Sequence, residues 1–226
     1  MHRGAKLLAA GLAALYAALV LWYGGHGVPM TADERESLFA RIAERAKNEP
    51  NPDGRLRDEL RTLAASDDGN EFYMLNLIRY RPKALYPPGY AYDDDALAAD
   101  ARYNRAIVPY LLRHGGVPVF LGEPQGRFLD EAGDAQWQRI AIVRYRSRRD
   151  LLEMVAELAG QNVAVHKWAS IEKTQVFPVR PLFSLIFVGG LVAALFVLLG
   201  IALHFSLRRA AWYGVPQRLA LQGEVR

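Results

Sequence analysis

Two long apolar runs stand at the ends of the chain, and short strand-like and helix-like patterns alternate between them. The first run, Leu7 to Tyr23, covers roughly 17 residues, the short end of what spans a bilayer. Arg3 and Lys6 precede it, and Trp22 and Tyr23 close it in the manner of interfacial aromatics. The second run, Leu182 to Leu203, covers roughly 22 residues without a charge. It carries Gly189, Gly190 and Gly200 and is followed by Arg208, Arg209, Trp212 and Tyr213. Both runs predict transmembrane helices. No small-residue cleavage site follows the first, so it reads as an uncleaved anchor rather than a signal peptide. Basic residues outside both runs predict an inner-membrane protein with both termini cytoplasmic and the central domain periplasmic.

Between the runs the pattern changes from helix to mixed structure. Thr31-Ala32-Asp33-Glu34 forms a capping-box sequence ahead of Leu38, Ile42 and Ala46. A second helical pattern runs from about Asp53 through Leu56, Leu60, Leu63 and Ala64 to the turn Asp67-Asp68-Gly69-Asn70. Phe72–Tyr80 (FYMLNLIRY) reads as a strand, followed by a Pro- and Tyr-rich loop over Arg81–Tyr92. A helix is expected from Asp93 to His114, stopped by Gly115-Gly116, with Leu97, Ala101, Ile107, Leu111 and Leu112 inward. Strands follow at Val117–Leu121 and Trp137–Tyr145, with a turn over Gly122–Gly133 between them. Ser147 caps another helix ending at Gly160, a short turn covers Ala164–Ala169, and Glu172–Val176 is the last strand before Pro178. The order β-α-β-β-α-β predicts an α+β, ferredoxin-like domain. The expected organisation is a cytoplasmic head (1–6), a span (7–23), a helical collar (24–70), the α+β domain (71–178), a second span (182–204) and a basic tail (205–226).

Charge and composition change this picture little. Of the formal net charge of +4, the head contributes +2 through Arg3 and Lys6 and the tail +3 through Arg208, Arg209, Arg218 and Arg226 against Glu224, leaving −1 for the rest of the chain. The central region is close to neutral, which argues against nucleic acid as a partner. The chain has no cysteine, so disulfides, thiolate metal sites and thiol catalysis are excluded. No phosphate-binding glycine loop, nucleophile elbow or paired-histidine metal motif occurs, and neither a metal nor a cofactor is expected.

Phe72-Tyr73-Met74-Leu75-Asn76-Leu77, the Tyr-rich loop, the Gly115-Gly116 turn, and Val143-Arg144-Tyr145-Arg146-Ser147-Arg148-Arg149-Asp150 followed by Leu152-Glu153-Met154 resemble the dimeric α+β barrel superfamily. Within it they are most similar to the bacterial family catalogued as domain of unknown function 1330. The resemblance covers roughly residues 71–178. It implies two sheets packed face to face in a homodimer. The superfamily also holds cofactor-free monooxygenases, muconolactone-type isomerases and haem-binding chlorite dismutases, and a shared fold does not transfer their chemistry.

Strand alternation selects the candidate residues. Tyr73, Leu75 and Leu77 are expected to face the helices, and Met74, Asn76 and Ile78 the barrel interior. Asn76 is the polar residue of that row and must either bond backbone or face a cavity. Arg139 shares a face with Trp137, Ala141, Val143 and Tyr145. Tyr80, Tyr86, Tyr90, Tyr92 and Tyr103 cluster around the first loop and could rim a pocket for an aromatic or apolar ligand. His114 ends a helix, and His166 stands beside Lys167 and Trp168. The candidate ligand-binding set is therefore Asn76, Tyr80, Tyr86, Tyr90, Tyr103, His114, Arg139 and His166. The expected function is a membrane-anchored, extracytoplasmic small-ligand-binding or accessory domain. Its expected partners are the lipid bilayer, a second copy through the sheet face, and another membrane protein. The alternatives are a cofactor-independent oxygenase or isomerase on a small aromatic substrate, and a structural subunit of a membrane complex.

Overall fold

In a computed structural model the alternating run FYMLNLIRY becomes strand β1 (Phe72–Tyr80), on which the rest of the sheet is assembled. The structure describes residues 3–24, 27–48, 55–126, 128–129, 136–184, 194–205 and 208–209. They fall into two units, Met1–Pro181 and Leu182–Arg226.

In the first unit β1 pairs antiparallel with β3 (Arg139–Tyr145) on one side and with β4 (Ile171–Val179) on the other. Strand β2 (Val117–Gly122) pairs with β3, so the four-stranded sheet has the order β2-β3-β1-β4. Pro118 and Pro178 lie on the two edge strands, where a missing N–H can face outward from the ladder. Helix α4 (Ala96–Arg113) connects β1 to β2. Helices α5 (Arg148–Leu158) and α6 (Ala164–Ser170) connect β3 to β4. The α+β domain is thus an antiparallel sheet with its connecting helices on one face. Where a turn was expected over Ala164–Ala169, the chain forms α6, which packs on α4.

The two faces of β1 are the reverse of the sequence expectation. Phe72, 1 % exposed, packs with Met74, Ile107, Leu111, Leu151 and Met154 in the core beneath the helices. Phe72, Met74, Asn76, Ile78 and Tyr80 therefore face the helices, and Tyr73, Leu75 and Leu77 face the open side. Both rows are apolar, so alternation alone could not choose between them. Cross-strand pairing carries the assignment to β3. Tyr145, Val143, Ala141 and Arg139 lie opposite Phe72, Met74, Asn76 and Ile78. The phase of α4 also differs. Its side-chain cap Asp95, which accepts from the Leu97 and Ala98 N–H groups, starts the helix at Ala96, three residues later than expected. Ala96, Ala99, Asp100, Ile107 and Leu111 are then buried, whereas Leu97 and Leu112 are exposed.

Helices α2 (Ala32–Arg45) and α3 (Arg55–Ala65) join the domain's packing. Thr31 and Glu34 form the capping box, with Glu34 N–H donating to Thr31 Oγ1 (3.2 Å) and Thr31 N–H to Glu34 Oε2 (2.7 Å). Two hydrogen bonds from Arg149, then the Thr31 N–H, hold the Glu34 carboxyl down at about 2. Met30, Leu38, Phe39 and Ala64 pack with Leu152 and Ala156 of α5 in a second cluster.

The expected transmembrane helices are not supported. Among the described residues no helix is long and apolar enough to cross a membrane. Helix α1 (Arg3–Gly24) covers the first run, but its last turn is bound to the domain rather than free for an interface. The Trp22 indole N–H donates to the Leu112 carbonyl (2.8 Å), and Arg146 and Arg144 donate to the carbonyls of Trp22 (3.1 Å) and Tyr23 (2.7 Å). With that turn engaged, Leu7–Leu21 measures about 22 Å against a hydrocarbon core of about 30 Å. Of the second run, residues 185–193, with Gly189 and Gly190, lie outside the described residues. The described helix there, residues 194–205, is about 18 Å long. The inner-membrane placement, the periplasmic domain and the cytoplasmic termini rested on those spans and lose their ground. Most of the Gly122–Gly133 turn beyond Gly126, the start of the second helix near Asp53, and Trp212 and Tyr213 also lie outside the described residues.

The docking of α1 depends on Arg144, which is 1 % exposed. Its guanidinium donates to Glu71 Oε2 (2.7 Å), the Gly115 carbonyl (3.3 Å) and the Tyr23 carbonyl, and lies 3.5 Å from the centre of the Tyr23 ring. Gly115 has φ +67°, and a Cβ there would stand 2.9 Å from the Trp22 carbonyl oxygen, so glycine is required on both counts. Replacing Arg144 by Ala strands Glu71 and two carbonyls and removes the Tyr23 contact. The expected loss is roughly 3 kcal/mol in chemical denaturation. A loss below about 1 kcal/mol, the range of an exposed pair, would show that the buried guanidinium does not hold this end of the domain.

Candidate functional site

The phase of α4 places a carboxylate, Asp100, against the covered face of the sheet, 4 % exposed. One of its oxygens, Oδ2, accepts from three donors. They are the Tyr80 hydroxyl at the end of β1 (2.9 Å), Asn104 Nδ2 one turn along α4 (2.9 Å) and Arg139 Nη1 at the start of β3 (3.0 Å). A buried carboxylate stays charged only with such partners. Burial, reinforced by Asp100, pushes the Tyr80 hydroxyl well above its ordinary value, so it remains a donor.

Arg139 has a second, looser contact. Its Nη2 stands 3.4 Å from Glu123 Oε1, just beyond β2, and the Glu123 side chain is 69 % exposed. The guanidinium lies 5.2 Å from the centre of the Tyr80 ring. Tyr103 of α4 and Tyr145 of β3 pack on the same side of the sheet, and burial pushes both hydroxyls up. Lys167 of α6 completes the group. Its ammonium lies 5.7 Å from the centre of the Tyr103 ring and 5.2 Å from that of Trp168. Burial lowers its pKa, with Asp100 acting in the opposite direction. The cluster therefore holds two cations, one buried acid and one exposed acid amid three tyrosines.

The Tyr-rich loop builds a second assembly on the other side of α6. The Tyr86 hydroxyl stands 2.9 Å from His166 Nδ1 and accepts from Arg102 Nη1 (3.4 Å). The Tyr86 and Tyr92 rings are 4.9 Å apart, Tyr92 is 5.0 Å from the imidazole, and Tyr90 stacks 6.4 Å from Tyr92. Arg102 lies over Tyr92 and pairs with Asp93 (2.6 Å). Burial, and then Arg102, push the His166 imidazole below its ordinary value, so it is neutral near pH 7. The rings stack on one another and on the imidazole, with Tyr92 still 47 % exposed.

Of the candidate residues, Tyr80, Tyr103 and Arg139 thus meet around Asp100, and Tyr86, Tyr90 and His166 meet in the loop stack. His114 belongs to neither. It contacts Glu157 (2.8 Å), which also pairs with Arg113, beside a cleft of about 370 Å³ lined by Arg41, Arg45, His114, Glu153, Ala156 and Glu157. In that cleft His114 faces Glu157, and Arg45 donates to the Ala156 carbonyl (2.8 Å). Asn76 faces the helices, not the outer sheet face, and donates to the backbone carbonyls of Met74 (3.0 Å) and Ala141 (3.3 Å). Among the described residues no group of three or more metal-ligating side chains stands together. Asp100, Asn104, Glu123 and Lys167 were missed. The signal for Asp100 was present: Ala96, Asp100, Tyr103, Ile107 and Leu111 lie on one stripe at helical spacing.

No protein-family model matches the chain, and no curated protein matches it. Its structure is similar to the crystal structure of a protein of unknown function from Rhodopseudomonas palustris. The identity is 26 %, the TM-score 0.50, and the match covers 59 % of this chain and 97 % of that one. A crystal structure of the methylated form of that protein matches at 27 % identity and TM-score 0.50, covering 59 % and 94 %. The similarity is to a whole domain of the α+β kind and assigns no activity.

Asn76→Leu removes a donor from two strand carbonyls without opening a cavity. It is expected to cost about 1–3 kcal/mol and to lower the melting temperature by several degrees. An unchanged melting temperature would show that these bonds contribute nothing.

Proposed function

We propose that this domain binds a small planar carboxylate between β1, β3, α4 and α6, and that it does so as a homodimer joined through the open sheet face. The observation that carries the reading is the arrangement around Arg139. One edge of its guanidinium is held by buried Asp100, and the other edge stands 3.4 Å from an exposed carboxylate, Glu123. A ligand carboxylate in the place of Glu123 would keep the local charge balanced and gain the planar donor geometry that arginine offers. Tyr80, whose ring centre lies 5.2 Å from the guanidinium, supplies a flat face beside it for an aromatic or conjugated body.

The homodimer has a separate support. Phe120, Ile142, Leu75 and Phe177 lie in one row across all four strands on the open face. Phe120 and Phe177 are 50 % and 44 % exposed. An apolar row of this kind is a cost in an isolated chain and an asset in an interface. The motifs that resemble the domain of unknown function 1330 family fit this arrangement, since face-to-face pairing of sheets is what that resemblance implies.

Calorimetric titration of the full-length protein with phenylpyruvate tests the binding site. Wild type is expected to bind, and Arg139→Gln to bind at least about tenfold more weakly, equivalent to about 1.4 kcal/mol. Equal affinity in the variant, or no binding by wild type, would contradict the assignment of Arg139 as anchor. For the dimer, sedimentation equilibrium of the full chain should give twice the chain mass, and Phe177→Glu should shift it to monomer. A wild-type monomer at micromolar concentration would overturn the dimer.

A further inference from the structure

The cleft of about 370 Å³ between α2 and α5 has its cations on one helix and its acids on the other. Arg41 and Arg45 stand one turn apart on α2, and Glu153 and Glu157 stand one turn apart on α5. Helices that carry opposite charges usually close such a seam by pairing them across it. Here the pairing does not occur. Among the described residues no ion pair joins either arginine to either glutamate. The walls are nonetheless held close at one end, where a Cβ at Gly160 would stand 2.9 Å from the Arg45 carbonyl oxygen.

Some of the lining groups are already committed. Glu157 meets Arg113 through Oε1 and His114 through Oε2 (2.8 Å). Arg45 gives Nη1 to the Ala156 carbonyl in the last turn of α5 (2.8 Å), and its charge is left without a counter-charge. Glu153 is half-buried, and the arginines near it are spent elsewhere. Arg146 pairs with Asp150 and Arg149 with Glu34, so Glu153 acts on both only through space. Arg41 has no hydrogen bond or ion pair among the described residues. The uncompensated groups of the cleft are therefore two guanidiniums and one carboxylate, a balance of 2 − 1 = +1.

We propose that this cleft is a second binding site, separate from Arg139, and that it takes an acidic amino acid. The two ligand carboxylates meet Arg41 and Arg45, and the ligand ammonium meets Glu153. Such a molecule carries two negative charges and one positive, the complement of the site. Residues one helical turn apart have Cβ atoms about 5–6 Å apart, and glutamate presents its carboxylates from the two ends of a short chain. Guanidinium–carboxylate bonds are charge-assisted and directional, which suits recognition of two acids at fixed spacing. A diacid without the amine would leave Glu153 unmet beside further negative charge. A neutral amino acid would leave one arginine unmet. Of the lining residues Ala156 is the one apolar side chain, so the cleft offers little to an aromatic body and selects a polar ligand.

The test is calorimetric titration of the full-length protein with L-glutamate and with glutarate, the same diacid without the amine. Wild type is expected to bind L-glutamate at least about tenfold more tightly than glutarate, the contribution of one charge-assisted hydrogen bond. Glu153→Gln should abolish that preference. Arg41→Gln should weaken both ligands at least about tenfold, because each loses a carboxylate partner. Thermal melts of the two variants should coincide with wild type, since neither side chain has a bonded partner among the described residues to lose. Equal binding of the two ligands by wild type, a glutamate preference that survives Glu153→Gln, or no binding of L-glutamate would overturn the proposal. So would a variant that melts several degrees lower, because its side chain would then already be paired within the protein.

Discussion

A carboxylate that is 4 % exposed must be paired or lose its charge, and the pairing of Asp100 organises this domain. Tyr80 comes from β1, Arg139 from β3 and Asn104 from α4, so one oxygen ties the helix to two strands. The same pairing orients Arg139. With Nη1 committed to Asp100, the guanidinium plane is set, and Nη2 is left toward the exposed Glu123. Structure and candidate chemistry therefore share one cause. The bonds that let α4 bury an acid are the bonds that aim a cation at solvent.

The opposite end of the domain obeys the same rule with the signs exchanged. There Arg144 is the buried charge, and Glu71 together with the Gly115 and Tyr23 carbonyls satisfies it. Two of the groups that receive the arginines, the Trp22 and Tyr23 carbonyls, end α1, where helix carbonyls lack intrahelical partners. Guanidinium groups at a helix C-terminus also complement its dipole. Helix α1 is consequently fastened to the domain at its last turn by interactions that need Gly115 to let the backbone approach.

Much of the architecture could be read from local signals. The capping box at Thr31 and Glu34, the Ser147 cap and the FYMLNLIRY strand each combine a turn or cap with a clear period. Quantities that depend on contacts between elements were not readable. Phe72, Met74 and Ile78 are as apolar as Tyr73, Leu75 and Leu77, so the strand did not show which row meets the helices. Alanines surround Asp100 on α4, so a shift of helix phase cost nothing visible and hid the acid. The apolar run of α1 has the same composition whether its last turn meets lipid or an arginine pair. Tyr80, Tyr103 and Arg139 were recoverable as aromatic and charged outliers in apolar patterns. Lys167 was seen only as a neighbour of His166, because the fold, not the spacing, turns it toward Asp100.

The most direct measurement is a crystal structure of the full-length protein grown with phenylpyruvate. The account predicts the ligand carboxylate on Arg139 Nη2 with Glu123 displaced, the aromatic ring beside Tyr80, and Asp100 still holding its three donors. A ligand bound on the open sheet face or against the Tyr86–Tyr92 stack, with Arg139 still paired to Glu123, would contradict it.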